Sequence, residues 1–488
     1  MAKRKPSSKR PQPRHRKNHQ KSQFDRRTRL GVANPKRRRT LQARVPLIGS
    51  VAGLVGSMAG RLDCRMAFRL SIIVAGMFLA DGRKTAAAWF AAAGVQDDWD
   101  RFYDCLISIG RQSQSVGEPL VRKILEKFDP GPGGHLTIGI DDSPTSRYGR
   151  HVEGAGVHHN PTPGPVGSAW VYGHNWVCMA LLCVHPLWGV IAMPLWSKLY
   201  VREADVPQLN EKHNWEFHTK HALALQLVTS LLSLMRRMRM TCVLWLVMDG
   251  AYAAGPLLRS LSGMGVVVFS RLRKDAVLFD LPPKSDKEGR GRPRIYGFNR
   301  INLRELAEDG QGWETINYRC RGAEVVRQYK CRLSTTKLTG DVIRVVIVRF
   351  ADGGWAPYFC TNPEIGVREI LETISARWAI EEHFHDTKEI WGAEQQQVRN
   401  VWSNIGCWHL NGWLYSLVEL ISWDKPQAEL SDRLDRPWDN PSRRPSHADR
   451  RRTIRREMLE KQFTASLPMT ADTNKIRQLF ADLISLSA

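Results

Sequence analysis

Two short apolar runs in this chain end in aspartates, and a third acid lies on a helix among cations. Ile138-Gly139-Ile140 leads into Asp141-Asp142-Ser143, and Val247-Met248 leads into Asp249-Gly250. In open α/β sheets the carboxyl ends of strands are where ligands gather. Taken singly, an acid at a strand end reads as a helix N-cap or a turn former. Two such acids on neighbouring strands read instead as a shared oxygen-ligand site, with Asp141 or Asp142 as its first member.

The third acid is Glu381. Residues 366–391 carry an apolar stripe of Val367, Ile370, Leu371, Ile374 and Trp378 at helical spacing. Steps of four and seven bring Arg377, Glu381, His385 and Lys388 onto or beside that face. Glu382, about 100° away, is expected to be more exposed. A carboxylate facing inward is costly unless cations compensate it, which a structural ion-pair cluster would also do. A metal-binding Glu381 flanked by phosphate-directed Arg377 and Lys388 accounts for more of these residues. Three oxygen ligands without cysteine suit Mg²⁺ or Mn²⁺. Two such ions about 4 Å apart activate a water or a 3′-hydroxyl and stabilise the leaving oxygen of an in-line displacement. His383 and His385 lie near Glu381, but no H-E-x-x-H motif is present, and no Walker loop calls for ATP.

The elements that must position these acids alternate in kind. Residues 136–140, 176–184 and 188–195 read as strands, and 217–238 as an amphipathic helix with Ala224, Leu227, Val228, Leu231, Leu232 and Met235 on one face. Strand 242–248, helix 256–261 and strand 266–270 follow. Three strands able to pair as hairpins, then helix, strand, helix and strand, describe an α/β fold with a mixed five-stranded sheet. That order is the ribonuclease-H-like one. Residues 314–320, 324–333, 342–350 and 357–361 are β-rich, and helical pattern returns at 366–391 and 401–423.

The chain has 488 residues, 42 % of them hydrophobic, and a formal net charge of +24. A basic balance of that size points to a polyanion, with nucleic acid ahead of an anionic membrane. The longest uncharged apolar run, residues 70–80, falls short of the roughly 20 needed to span a bilayer. The basic N-terminus does not read as a signal peptide. Nine scattered cysteines without a C-x-x-C pair indicate neither a disulfide framework nor a cysteine zinc site, which fits a reducing cytoplasm.

Residues 1–46 form a basic arm; the first forty hold sixteen Lys or Arg against Asp25 alone. Such a segment cannot bury a core and serves either as a phosphate-binding arm or as a solubilising tail. Residues 47–129 read as short helices, either a DNA-binding domain or a brace for its neighbour. The run Asp129-Pro130-Gly131-Pro132-Gly133-Gly134 marks a boundary. The catalytic domain then takes residues 130–274 and 363–423, interrupted by a β-rich insertion over 275–362. Residues 424–488 are a basic helical tail, with helices at 448–462 and near 475–486.

At this point the residues resemble a known family. Arg377-x3-Glu381-x6-Lys388 resembles the Y-x2-R-x3-E-x6-K signature of bacterial insertion-sequence DDE transposases, with Ile374 at the tyrosine position. The strings 138–143 and 248–252 resemble that family's first-acid and second-acid strands. The β-rich insertion and the basic run 289–294 resemble its insertion and the loop leading into it. The resemblance spans roughly residues 130–420. It implies a ribonuclease-H-like core, Mg²⁺-dependent endonuclease cleavage at element ends and strand transfer into target DNA. It further implies double-stranded DNA as partner, a homodimer in the DNA complex, and phosphate contacts from Arg377 and Lys388. The wording D-x-[ST] in the wider fold favours Asp141 over Asp142. Trp313 and Trp355 are candidates for stacking on a displaced base, although core packing is the commoner fate of a tryptophan. His158, His159 and His174 lie near in sequence without an assigned role. A ribonuclease-H-like nuclease that never joins ends, and a non-catalytic basic DNA-binding protein, are the alternatives.

Overall fold

The computed structural model describes residues 45–160, 167–283, 294–431, 438–440, 442–466, 474–476, 478–480 and 483. The N-terminal arm up to residue 44, most of the basic run 287–294 and much of the final helix near 475–486 lie outside the described residues.

Residues 43–488 form one compact unit built on a twelve-stranded mixed sheet. Its heart is β1 (His135–Ser146), β2 (Gly156–His159), β3 (Trp170–His185), β4 (Gly189–Tyr200), β5 (Val243–Met248) and β6 (Val267–Arg271). β3 pairs antiparallel with β1 and β4, while β1, β5 and β6 run parallel, giving the spatial order β4-β3-β1-β5-β6. The turn at His185-Pro186 makes β3 and β4 a hairpin, as two apolar runs split by a proline require.

The segment after β6 does not form a separate sheet. Short β7 (Leu278–Phe279) and β8 (Arg300–Ile301) are followed by β9 (Glu314–Cys320), β10 (Ala323–Thr336), β11 (Val342–Arg349) and β12 (Trp355–Cys360). β12 pairs with β6 through Tyr358↔Arg271 and Cys360↔Phe269, so the insertion continues the sheet from its parallel edge. An edge strand offers unpaired N–H and C=O groups, and the returning β-rich segment satisfies them.

Helices cover both faces. On one face lie α7 (Lys220–Arg237), with Leu223, Leu227, Val228, Leu231 and Leu234 buried, and α8 (Gly255–Gly263). On the other lie α10 (Val367–Ala376), α11 (Trp378–Glu389) and the long α12 (Val401–Ser422). Ile370, Leu371, Ile380, Ile405 and Trp408 pack there with Val247, Phe269 and Trp176. The rings of Trp176 and Trp408 stack 4.9 Å apart.

The first helices, α1 (Gly49–Ala59), α2 (Cys64–Leu79), α3 (Ala86–Ala93), α4 (Trp99–Arg111) and α5 (Ser113–Lys127), rest on α12 through α4 and α5. α4 and α12 cross backbone to backbone. A Cβ at Gly110 would fall 1.8 Å from the Trp402 carbonyl oxygen, and one at Gly406 would fall 2.3 Å from that of Leu106. Because the obstacle is backbone, side-chain rotation cannot relieve it. Gly110→Ala is expected to cost about 1–3 kcal/mol of stability, read as a lowered thermal midpoint; an unchanged midpoint would mean the crossing is looser than described.

The basic C-terminal segment is partly internal. Between α6 (Val206–His213) and the C-terminal α14 (His447–Ser466) lie α9 (Leu303–Glu308) and α13 (Gln427–Leu430). Arg451 of α14 is buried and donates to the carbonyls of Met77 and Phe78 at 3.2 and 3.0 Å, closing the C-terminal end of α2. Among the described residues no helix is long and apolar enough to cross a membrane.

Candidate active site

The register of the parallel strands brings the two aspartates together. Ile140 pairs with Met248, and Met248 with Ser270, so Asp141, Asp249 and Arg271 follow in a row at the carboxyl ends of β1, β5 and β6. Side chains alternate along a strand. Two residues before Asp141 is Gly139, whose Cβ would fall 2.2 Å from Ile380 Cδ1 of α11. Two residues before Asp249 is Val247, and two before Arg271 is Phe269; both sit in the core beneath Ile380. Asp141, Asp249 and Arg271 therefore share the face covered by α11. The missing side chain of Gly139 lets that helix lie directly on β1.

Glu381 stands across from them. Arg377 bonds Asp141 through Nη1, and its Nη2 donates to Glu381 Oε1 at 3.2 Å, so one guanidinium ties the strand acid to the helix acid. Asp142 points to the opposite face. It accepts from Lys220 Nζ at 2.6 Å and from the Tyr252 hydroxyl at 3.3 Å. The structure thus brings Asp141, Asp249, Glu381 and Arg377 to one side and separates Asp142 from them.

Residues 366–391 are not one continuous helix. At Arg377 the bonds Arg377 N–H to Ile374 O and Ile380 N–H to Arg377 O span three residues instead of four, which tightens the turn. The buried side of α11 becomes Ala379, Ile380, His383, Phe384 and Thr387. His385, expected on or beside the inward face, is 74 % exposed instead. Glu382 is exposed, as its phase requires.

The electrostatics are those of a crowded anionic pocket. Burial pushes the Asp141 carboxyl up to about 6; Arg377 and the Asp142 N–H oppose this, and the carboxylates of Asp142 and Asp249 add to it. Lys388 is engaged internally, donating to the Pro144 carbonyl at 2.8 Å and pairing with Glu394 at 3.2 Å.

Arg271 was not singled out by the sequence. Its side chain is exposed and forms no ion pair among the described residues. Its strand partner Tyr358 has its phenol raised by burial, which the positive charges of Arg271, Arg377 and Arg321 oppose and Cys320 reinforces. The only sequence signal was the basic run 271–274 behind a strand, which gains meaning once the strand register is known.

The histidines of the β1–β3 region divide. His158 and His174 are buried, and burial lowers them to about 4 and about 3, so neither is available to a ligand at the surface. Strand alternation turns them inward; His159 faces out against Trp170. Trp313 and Trp355 are half-buried and carry cations of the chain, Arg349 at 3.9 Å over Trp313 and Lys274 at 4.5 Å over Trp355.

Residues 59–337 match a family described as DDE superfamily endonuclease. The chain belongs to the DDE superfamily endonucleases. The matched span holds the strands of Asp141 and Asp249 and ends before the helix of Glu381. A search among curated proteins gave no match. Among solved structures, the chain is similar to the piggyBac transposase in a cryo-EM synaptic complex with hairpin DNA, at 12 % identity and TM-score 0.37, over 85 % of this chain and 74 % of that one.

DDE superfamily endonucleases generally use divalent metal ions. The donor chemistry here fits such an ion, because carboxylate oxygens suit hard cations and a cation, Arg377, already lies between Asp141 and Glu381. The spacing is not that of a closed ligand shell. Among the described residues no three His, Cys, Asp or Glu side chains stand close enough to hold a metal together, and the Arg377 guanidinium lies between Asp141 and Glu381.

Proposed function

We propose that this DDE endonuclease is a DNA transposase of the bacterial insertion-sequence kind, cutting double-stranded DNA at element ends and joining those ends to target DNA. The observation that carries the reading is the placing of Asp141 and Asp249 side by side at the carboxyl edge of a parallel strand pair, with Arg377 linking Asp141 to Glu381. The order β4-β3-β1-β5-β6, with its first three strands antiparallel and its last three parallel, supports a ribonuclease-H-like core.

Asp141, Asp249 and Glu381 would hold two Mg²⁺ or Mn²⁺ ions, which supply activation of a water or 3′-hydroxyl and stabilisation of the leaving 3′-oxygen. The chain's own part is positioning. Gly139 and Ile380 set the helix acid against the strand acids. Arg377 and Arg271 present guanidinium groups that suit a phosphodiester. Lys388 holds the end of β1 through Pro144, and a phosphate contact from it would require release of Glu394. The net charge of +24 favours DNA as the partner. Joining two ends calls for at least a dimer, and the nine unpaired cysteines fit a reducing cytoplasm.

The test uses the purified full chain with Mg²⁺ and a duplex carrying the DNA that flanks its own gene. Metal-dependent nicking at the element ends is expected, followed by joining of a pre-cut 3′-hydroxyl end to a second duplex. Asp249→Ala is expected to bind the same duplex and not cut it. Hydrolysis without joining would make the protein a nuclease instead. Absence of any metal-dependent cut would reject the enzyme reading.

A further inference from the structure

The face of the sheet opposite Glu381 carries a second set of contacts at the same two strand ends. Asp142 hangs directly from the first acid, its own N–H donating to Asp141 Oδ1 at 2.9 Å. The Asp142 carboxylate is gripped twice, by Lys220 Nζ at 2.6 Å and by the Tyr252 hydroxyl at 3.3 Å. Tyr252 closes the short turn Gly250–Tyr252, whose cap is Asp249 itself, accepting from the Ala251 N–H at 3.3 Å. The carbonyl of that same Ala251 accepts from His221 Nε2 at 3.0 Å. Two successive residues at the start of α7 thus each hold one acid-bearing segment, and Tyr252 joins the two segments directly.

We propose that Lys220, His221, Asp142 and Tyr252 form a brace that fixes the spacing and orientation of Asp141 and Asp249, and so sets the affinity of the site for a divalent cation. This rests on the reading of Asp141 and Asp249 as metal ligands. It gives Asp142 a role distinct from that of its neighbour: a positioning residue that acts through Asp141 and the turn of Asp249. Loss of a group that orients a metal's ligands typically weakens the metal's binding by about 10–100-fold.

The brace is separable from the stability of the fold. α7 is anchored by its apolar side, Leu223 to Met235, and capped by Thr219, whose hydroxyl accepts from the Ala222 N–H at 3.2 Å. The Lys220–Asp142 pair is partly solvated, with side chains 32 % and 24 % exposed. A pair of that kind contributes little to stability by itself. Geometry at the acids is what its loss would change.

The experiment is a Mn²⁺ titration of the full chain, following free Mn²⁺ by its electron paramagnetic resonance signal, with thermal midpoints measured in parallel. Tyr252→Phe and Lys220→Met are each expected to weaken Mn²⁺ binding about tenfold, with midpoints near that of the parent. Lys220→Arg is expected to restore most of the affinity. In the double variant Tyr252→Phe with Asp142→Ala, the loss is expected to be smaller than the product of the single losses, because each removes the same Tyr252–Asp142 contact. If Tyr252→Phe fails to fold, the Lys220→Met and Lys220→Arg pair decides alone. Mn²⁺ affinity within twofold of the parent in Lys220→Met, while Asp249→Asn abolishes binding, overturns the brace and leaves the site intact. Parental affinity in Asp249→Asn overturns the site itself.

Discussion

Asp141→Asn and Glu381→Gln are each expected to abolish metal-dependent strand cleavage, while Asp142→Asn keeps measurable cleavage. Both first substitutions remove a charge and leave volume and fold nearly unchanged. The stabilisation lost when a carboxylate no longer holds a catalytic cation is several kcal/mol, and about 4 kcal/mol corresponds to roughly a 10³-fold lower rate. Asp142 lies on the far face, engaged by Lys220 and Tyr252, and an asparagine there keeps an oxygen for the Tyr252 hydroxyl. Its loss is expected to be about tenfold, of the size seen for groups that orient a metal ligand. The measurement is a single-turnover nicking assay on a labelled duplex, with thermal midpoints as the control for folding. Cleavage retained by Glu381→Gln would remove the helix acid from the site. An Asp142→Asn variant as inactive as Asp141→Asn would reassign the first acid to the other face of the sheet.

That contrast was open in the sequence because β1 is longer than its apolar core. Residues 136–140 read as the strand, and Asp141-Asp142-Ser143-Pro144 read as its exit. In the structure β1 runs to Ser146, pairing with β3 along its whole later half, Pro144↔Asn175 included. Its pairing with β5 ends at Ile140↔Met248, so the acids close the parallel side while the strand goes on along the antiparallel side. Pro144 is tolerated where the strand has only one bonded neighbour. Alternation continued through the acids would have separated Asp141 from Asp142, but only if the strand was known to continue.

Other parts were legible for simple reasons. The hairpin of β3 and β4, the helix at 220–237 and the strands at 243–248 and 267–271 were marked by apolar runs of the right length and period. The four long strands of the insertion were found for the same reason. Their junction to β6 was not, since an edge pairing leaves no mark on composition. The phase of α11 was also missed. A stripe extended through Arg377 assumes four-residue bonds throughout, and the tighter turn there moves His385 outward and His383 in. Arg271 and the grip of Lys220 on Asp142 depend on contacts between residues far apart in the chain, which no local pattern records.

Glu419→Ala is expected to cost about 3–5 kcal/mol, because it strands a buried guanidinium. Glu419 on α12 is fully buried, and one oxygen accepts from Arg450 Nη2 and Nε at 2.7 and 3.1 Å and from His447. His447 in turn accepts from the Trp391 indole at 2.8 Å. Burial alone would raise the Glu419 carboxyl; the Arg450 charge and the His447 bond outweigh it and hold the group below its usual range. A carboxyl lowered on folding contributes stability that is present above its unfolded value and is lost as pH falls through its folded one. The penalty of Glu419→Ala is therefore expected to be full near neutrality and to shrink in acid as the parent loses the same interaction. Glu419→Gln keeps the shape and loses the charge, and should fall between. Thermal or urea unfolding at pH 7 and pH 4 measures both effects; a penalty below about 1 kcal/mol at pH 7 would show that Arg450 finds another partner. The consequence reaches the acids, since Arg444, just ahead of this cluster, pairs with Glu382 at 2.8 Å, next to Glu381. A fall in cleavage beyond the unfolded fraction would then mean that α14 helps hold the helix acid in place.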